Sequence, residues 1–591
     1  MNKQGPTPIW SRPWVVVVIV VLVYFNSWFN PFILDDATHI RDNPGLREWE
    51  NWTAIFKSPF FEFPEAGLAQ YYRPLTILTY KVEYLLFAEN PFGFHLVNTA
   101  FHCLNTILVF LLCRLIGGYA GPAFIISLLF GIHPLQTEEV SYISGLGGLA
   151  AGSAVLSSAY FFLRFLKEKN RLYYLSSIFL FVLGLFYKEG AMIAPFLLFW
   201  LTIASGRGQL SGGGRWRAAL LYLPVFFLIL GGYLFLRSSI VVPADFFSGL
   251  GGGLGVRFLT FGKGLWVYLR LAFFPLHLHF YRSLELIYPG WYPLALLILG
   301  SCVLFLVRLT VRGERSTPLI SVGAGWFVIG LSPFFGGVPI ILEGRYLYWA
   351  EHFMYLPLIG IWMVLAGALF ELLNSYPDRR TLRAAVGGCL LLLVISFAFL
   401  TVRQNSFWSD ELIFFRRMAR HEPRLFRTTG MLGVAYFNKG MWDKAIVADT
   451  EARKKLLDLS EARSEAELPP MDKYMLKTIL IRMAQSYYSL GNTARSREIA
   501  LELQRFFPDN YIGYYISGWI NLKSGDSARA LTFLEEAYRL NPSDFKTARA
   551  LIRCYQRLNN FQRSREVWRE AAERIPAFRE AREILKRRNQ K

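Results

Sequence analysis

PWVVVVIVVLVYFNSWFNPFILDD (13–36) decides the fold. A bilayer core takes about 20 apolar residues as helix, and this run supplies them without a charge before it ends on two adjacent carboxylates. It is too long for a signal peptide and lacks a small-residue cleavage site, so it reads as a retained anchor. Working outward, similar runs recur at roughly 94–116, 119–133, 145–165, 172–187, 190–204, 217–237, 291–308, 318–336, 353–373 and 382–402. The stretch 257–275 is ambiguous, so the expectation is an all-α, polytopic membrane domain of 11–12 transmembrane helices over 1–402.

Lys and Arg orient such helices, because cytoplasmic loops collect them. Clusters lie at Lys3 and Arg12, in RFLKEKNR (164–171), at Arg207, Arg215 and Arg217, at Arg308, Arg312 and Arg315, and at Arg379, Arg380 and Arg383. All five fall on one side if 257–275 is a re-entrant or surface helix, which gives eleven crossings. The loop 35–93 is then the first extracytoplasmic loop, and the tail lies outside the cytoplasm. The polar segments ILDDATHIRDNP (33–44), HPLQTEEV (133–140), YKEG (187–190), FPLHLHFYR (274–282) and EGRYLYWAEHF (343–353) gather on that same outer face.

The tail, 403–591, is charge-rich and has no long apolar run. Pro508, Pro542 and Pro576 are 34 residues apart, the period of tetratricopeptide (TPR) helix pairs. Gly491 and Gly525 share a repeat position with Asn559, and Ala537 shares one with Ala571. A weaker first copy holds Leu432, Gly433, Tyr436, Gly440, Ala445 and Ala452, and 453–475 reads as a longer helix with a Pro-Pro linker. About four repeats stacking into an α-solenoid imply a surface for a protein or peptide. The net charge of +20 comes from topogenic loops and from these repeats. With no nucleic-acid motif, it excludes nucleic acid as the partner. Five cysteines, four of them in apolar segments, form neither a disulfide framework nor a zinc site.

Several residues of the outer face carry candidate chemistry. Asp35 and Asp36 are costly to desolvate at a membrane surface. They suit either a general base for an acceptor hydroxyl or a site for a divalent cation, Mg2+ or Mn2+. His95, Asn98, His102 and Asn105 share one helix face. Interhelical hydrogen bonding explains the last three, and His95 lies nearest the outer end. His133, Glu138 and Glu139, then Lys188 and Glu189, then Arg345, Glu351 and His352 complete the set. Arg345 and Lys188 are the cations suited to a phosphate. No Walker loop, GxSxG, HExxH or CxxC is present, and no soluble nucleotide-binding domain. An enzyme of this layout needs an activated lipid donor.

The ordered set DD…NP, YYRPLT, GFHLVNTAFHCLN, HPLQTEEVSYISG, KE and AEHFMYLPLIG, followed by the repeats, resembles the transmembrane-and-tetratricopeptide-repeat proteins. Their animal members are protein O-mannosyltransferases of the GT-C glycosyltransferase class, and bacterial relatives exist. The resemblance implies a membrane glycosyltransferase that takes sugar from a polyprenyl-phosphate carrier, with one of Asp35 and Asp36 as the catalytic carboxylate. Glu138 and Glu351 match acids of the family's motifs. Leu146 and His352 stand where the family commonly has Arg, and Arg345 is a possible replacement for the second. The implied setting is the inner membrane of a bacterium, with the repeats in the periplasm receiving an acceptor protein. A TPR scaffold for secretion or polysaccharide assembly, or a lipid-linked glycan polymerase or ligase, fits the same features. A transporter does not, since its polar groups would lie near the midplane.

Overall fold

A computed structural model describes residues 12–47, 49, 52–63, 68–205, 212–241, 254–285, 318–335, 342–343, 346–460 and 468–575. The chain divides into two compact units, Met1–Phe414 and Phe415–Lys591. It is an all-α, integral membrane protein with a C-terminal TPR solenoid, and its strands are only two or three residues long.

Among the described residues, five helices of the first unit are long and apolar enough to cross a membrane: Pro91–Gly117, Ile143–Glu168, Gly214–Ile240, Pro357–Ser375 and Arg380–Ser406. A sixth span forms if Ala120–Gly131 and Pro134–Ser141 are counted together. Shorter apolar helices cover Pro13–Phe29, Arg171–Tyr187, Glu189–Ala204 and Pro318–Leu331. Ten of the eleven expected spans thus coincide with described apolar helices. The eleventh, 291–308, and the basic cluster 308–315 lie outside the described residues. The ambiguous stretch is the helix Leu254–Phe273, which carries Arg257, Lys263 and Arg270 and is not among the apolar spans.

Two local devices shape this unit. The helix pair at 120–141 bends by 50° at Pro134, because proline has no N–H to continue the ladder and holds His133 extended. Close backbone approach fixes another pair. A Cβ on Gly323 would lie 2.6 Å from the Gly360 carbonyl oxygen, and one on Gly360 would strike that of Gly323. Small residues permit this contact between helices 318–331 and 357–375. The outer segments also form two small sheets that hydrophobic periodicity did not announce. Strands β1 (Phe61–Phe63) and β2 (Leu68–Gln70) pair as an antiparallel hairpin. Strands β3 (Ser283–Glu285), β4 (Leu342–Glu343) and β5 (Tyr346–Tyr348) form an antiparallel sheet in the order β3-β5-β4. That sheet joins the segment after 274–282 to the one before Glu351.

In the second unit four helix pairs follow one another: Phe426–Asn438 with Trp442–Ser460, Pro470–Ser489 with Thr493–Phe506, Tyr511–Lys523 with Ser527–Leu540, and Phe545–Arg557 with Phe561–Arg574. The turns inside the pairs explain the recurring position. Gly440, Gly491 and Gly525 have φ of 70°, 79° and 92°, and Asn559 takes the same left-handed role at 59°. The next helix is then capped: Asn492, Asp526 and Asn560 accept the backbone N–H of Arg495, Arg529 and Arg563. Pro508 and Pro542 follow the second helices, and Pro576 lies outside the described residues.

Candidate active site

The first apolar helix runs into a tight turn at Ile33–Asp36, and the turn separates two adjacent carboxylates. Leu34 adopts a positive φ of 58°, a conformation costing about 1–3 kcal/mol in a non-glycine residue. Asp36 turns inward and is 1% exposed. Its Oδ1 accepts from the Ser144 N–H at 2.8 Å and the Ser144 hydroxyl at 2.6 Å, and its Oδ2 from the Ile33 N–H at 3.2 Å. Burial outweighs these bonds and pushes the Asp36 carboxyl up to about 7. Asp35 faces outward and is exposed. Its Oδ2 accepts the Tyr142 hydroxyl at 2.8 Å. Tyr142 is itself held by stacking on Trp408 at 5.7 Å and edge contact with Phe280 at 5.4 Å. One carboxylate is therefore a fixed internal strut, and the other is an oriented group open to a reactant.

Carboxylates from three further segments lie in the same region, each paired with a basic side chain. Glu138 accepts the Glu351 N–H at 3.1 Å and pairs through Oε1 with His352 Nδ1. Glu351 accepts the His279 N–H at 2.9 Å and an Arg282 N–H at 2.7 Å. Lys188 donates to Glu139 at 3.2 Å. Arg73 grips Glu189 with two parallel N–H bonds, one of 2.9 Å, and lies 4.2 Å over the Tyr71 ring. Burial opposes the Arg73 charge, but Glu189 more than restores it, so its pKa rises. Burial pulls His352 down to about 4, against Glu139, so the ring is neutral near pH 7. Pairing is what makes buried charge tolerable, and removing one partner exposes the full desolvation cost. The glycines of ISGLGG leave room for the cluster: a Cβ on Gly145 would strike the Glu139 carbonyl, and one on Gly148 would strike Glu139 Oε1 and lie 2.8 Å from Lys188 Nζ. Tyr71 and His277, with φ of 65° and 59°, add two more strained positions to the same region.

The tetratricopeptide-repeat family model matches residues 481–545. The mouse protein O-mannosyl-transferase TMTC3 is 34% identical over 161 residues, covering 26% of this chain and 17% of that protein. The human protein O-mannosyl-transferase TMTC1 is 35% identical over 156 residues, again 26% and 17%. Over these stretches the chain is similar to the TMTC proteins. Its match spans about a sixth of the length of these curated relatives. Among solved structures, the crystal structure of MamA aligns with 28% of this chain and 85% of that chain at 13% identity, with a TM-score of 0.23.

Asp35, Asp36, Glu138, Glu139, Lys188, Glu189, Glu351 and His352 come together as described. His95 and His133 do not join them. His95 Nε2 bonds the Asn30 carbonyl at 3.0 Å below the turn. His133 bonds the Ala272 carbonyl at 3.0 Å, accepts the Leu135 N–H, and packs on Phe397. Arg345 lies outside the described residues. Asn98, His102 and Asn105 bond neighbouring segments, among them Tyr142 O, Gly131 O and the Tyr355 hydroxyl. Leu146 is buried with Ile40, Tyr80 and Phe94. Sequence reasoning gave no role to Arg73, Tyr142, Ser144 or Arg282. The Arg in YYRPL and in FPLHLHFYR was visible as a lone cation in an outer polar segment, but nothing local names a partner 116 or 69 residues away.

Proposed function

We propose that the chain is a membrane glycosyltransferase of the GT-C type. It moves a sugar from a polyprenyl-phosphate carrier to a hydroxyl of an acceptor protein at the extracytoplasmic face. Asp35 carries the reading: it is exposed, oriented by Tyr142 through one oxygen, and ringed by buried charges. As general base it takes the proton of the acceptor hydroxyl. The oxygen attacks the anomeric carbon, the bond from that carbon to the phosphate oxygen breaks, and the lipid phosphate leaves with the electron pair and inversion. Asp36 positions the turn. Lys188 keeps N–H groups beyond its bond to Glu139 and, with Arg345 on the approach to Glu351, offers charge to the growing phosphate dianion. The relatives' names support a protein acceptor and mannose as the sugar to test first. The basic clusters support a bacterial inner-membrane orientation with the repeats in the periplasm, where the array would hold the acceptor.

A divalent cation such as Mg2+ or Mn2+ does not fit the Asp35–Asp36 pair as it stands. Both oxygens of Asp36 are taken by three donors, and no group of three or more His, Cys, Asp or Glu is placed to hold a metal among the described residues. The reaction above is accordingly written through protein groups alone.

The test is transfer from radiolabelled polyprenyl-phosphate mannose to periplasmic protein by the full chain in liposomes. Wild type should label protein and Asp35→Asn should not. Transfer only from a lipid-linked oligosaccharide would replace this reading with a polymerase or ligase, and intact cellular function of Asp35→Asn would leave a scaffold.

A further inference from the structure

Helix 224–240 brings a polar face against the site that the chemistry above does not use. Tyr233 and Arg237 are four residues apart, hence on the same side of the helix. Tyr233 is 5% exposed and packs between Tyr72, at 6.4 Å, and Phe186, at 6.2 Å. These rings flank the segment that carries Arg73. The charges of Glu189, Arg237 and Arg73 all act on the Tyr233 hydroxyl. Those of Arg73, Glu189, Asp35 and Arg237 all act on the Tyr71 hydroxyl. Arg237 and Asp35 therefore both act on the Tyr71 hydroxyl.

Two donors on this face are unmatched among the described residues. The Tyr233 hydroxyl and Arg237 Nε are both buried without a hydrogen-bond partner. An orphaned buried donor is costly, more so when charged, so two on one helix face next to a charged cluster are expensive unless something fills them. The other cations of the cluster are engaged: Arg73 with Glu189, Lys188 with Glu139 and Arg282 with Glu351. Arg237 forms no ion pair among the described residues. Arg237 Nε is turned into the protein, and the side chain as a whole stays partly accessible. A tyrosine hydroxyl and a guanidinium edge, both donors, call for an oxyanion. The next faces of the helix are apolar and open, with Leu228 75% and Phe235 79% exposed, which suits a ligand with a hydrocarbon tail.

The geometry points to an anion site at Tyr233 and Arg237 that holds the phosphate of a lipid, and, resting on the proposed transfer reaction, this is the phosphate of the polyprenyl donor. Arg237 supplies two N–H groups and the charge, Tyr233 adds one O–H, and the phosphate lies on the Arg73 side of the Asp35 turn.

The experiment is equilibrium binding of radiolabelled decaprenyl phosphate to the full chain in detergent micelles, with phosphatidylglycerol and inorganic phosphate as competitors. Wild type should bind saturably, and decaprenyl phosphate should compete at least about 10-fold better than either alternative. Arg237→Gln should weaken binding about 10–100-fold, as expected for a lost charged hydrogen bond. Arg237→Lys should recover part of that loss, and Tyr233→Phe should weaken binding several-fold. Melting temperatures identify any variant that fails to fold, and Tyr233→Phe, which keeps the ring, then decides. Wild-type affinity in both Arg237→Gln and Tyr233→Phe overturns the site while leaving the transfer reaction standing. Equal competition by phosphatidylglycerol overturns the donor assignment. Absence of binding by wild type overturns both the site and the lipid-donor reading.

Discussion

The two units place their charges differently. In the membrane unit, beside exposed pairs such as Arg41–Asp42 and Arg47–Glu89, three ion pairs join distant segments with little exposure: Arg282–Glu351 has side chains 9% and 3% exposed, and Lys188–Glu139 and Arg73–Glu189 are largely enclosed. In the repeat unit most pairs are local and solvated, such as Arg495–Glu498, Arg539–Glu536 and Arg563–Glu566, each three residues apart on one helix. Its more enclosed pairs, Arg482–Asp449 and Arg427–Asp472, link neighbouring repeats. Surface pairs contribute little to stability, and the repeats rest instead on capped helices and small-residue packing. Desolvated pairs beside three positive-φ residues are costly, and a fold keeps them where a reaction needs a dry, preorganised field.

The contrast can be broken or sharpened in four ways. Asp35→Asn should lower sugar transfer about 10²–10⁴-fold with an unchanged melting temperature, measured in the liposome assay. Comparable activity would show that the buried charges serve the fold alone. Arg282→Met should cost about 3–5 kcal/mol, because it leaves Glu351 buried and unmatched. Adding Glu351→Met should recover most of it in unfolding by SDS titration, and equal losses in the single and double variants would count against the pairing. For Asp36 the pKa, raised from its ordinary value to about 7, sets the sign of a pH effect. The protonated carboxyl is tolerated inside, and the ionised one is not. Its stabilising contribution is thus full below about pH 4 and is lost as pH rises through about 7, by up to about 4 kcal/mol. Asp36→Asn should flatten the stability profile between those limits, and a slope that persists in the variant would locate the titration elsewhere. At the small end, Glu498→Gln in the exposed pair with Arg495 should leave the melting temperature of the chain unchanged.

Much of this was legible in the sequence, and physical reasons separate what was from what was not. Apolar runs mark spans because the bilayer tolerates little else, so helices 91–117 and 380–406 lie close to the expected limits. The 34-residue period marks repeats because every turn needs a left-handed residue, and Asn559 could be recognised as a stand-in for glycine. The acidic pair was visible, but its division into an exposed Asp35 and a buried Asp36 was not. That division depends on Ser144, 108 residues away, and on the left-handed Leu34, for which no local residue type gives a signal. The segment before Glu351 was read only as a loop. It forms strand pairs because β5 meets β3 across a long stretch of sequence, and two- or three-residue strands leave no periodicity to read.

The bridge from Asp36 to Ser144 also bears on how the protein is made. Tyr142 and Ser144 leave the ribosome more than a hundred residues after Asp35 and Asp36. Glu138 meets His352 only after some two hundred more. Long-separated contacts form slowly because loop closure precedes their reward. The first helix must therefore wait in the bilayer with its acidic turn unsupported while at least the helix at 143–168 inserts, and the charge pairs close only after residues 351 and 352 arrive. The charged cluster is thereby incomplete in a nascent chain until nearly all of its membrane unit is in place.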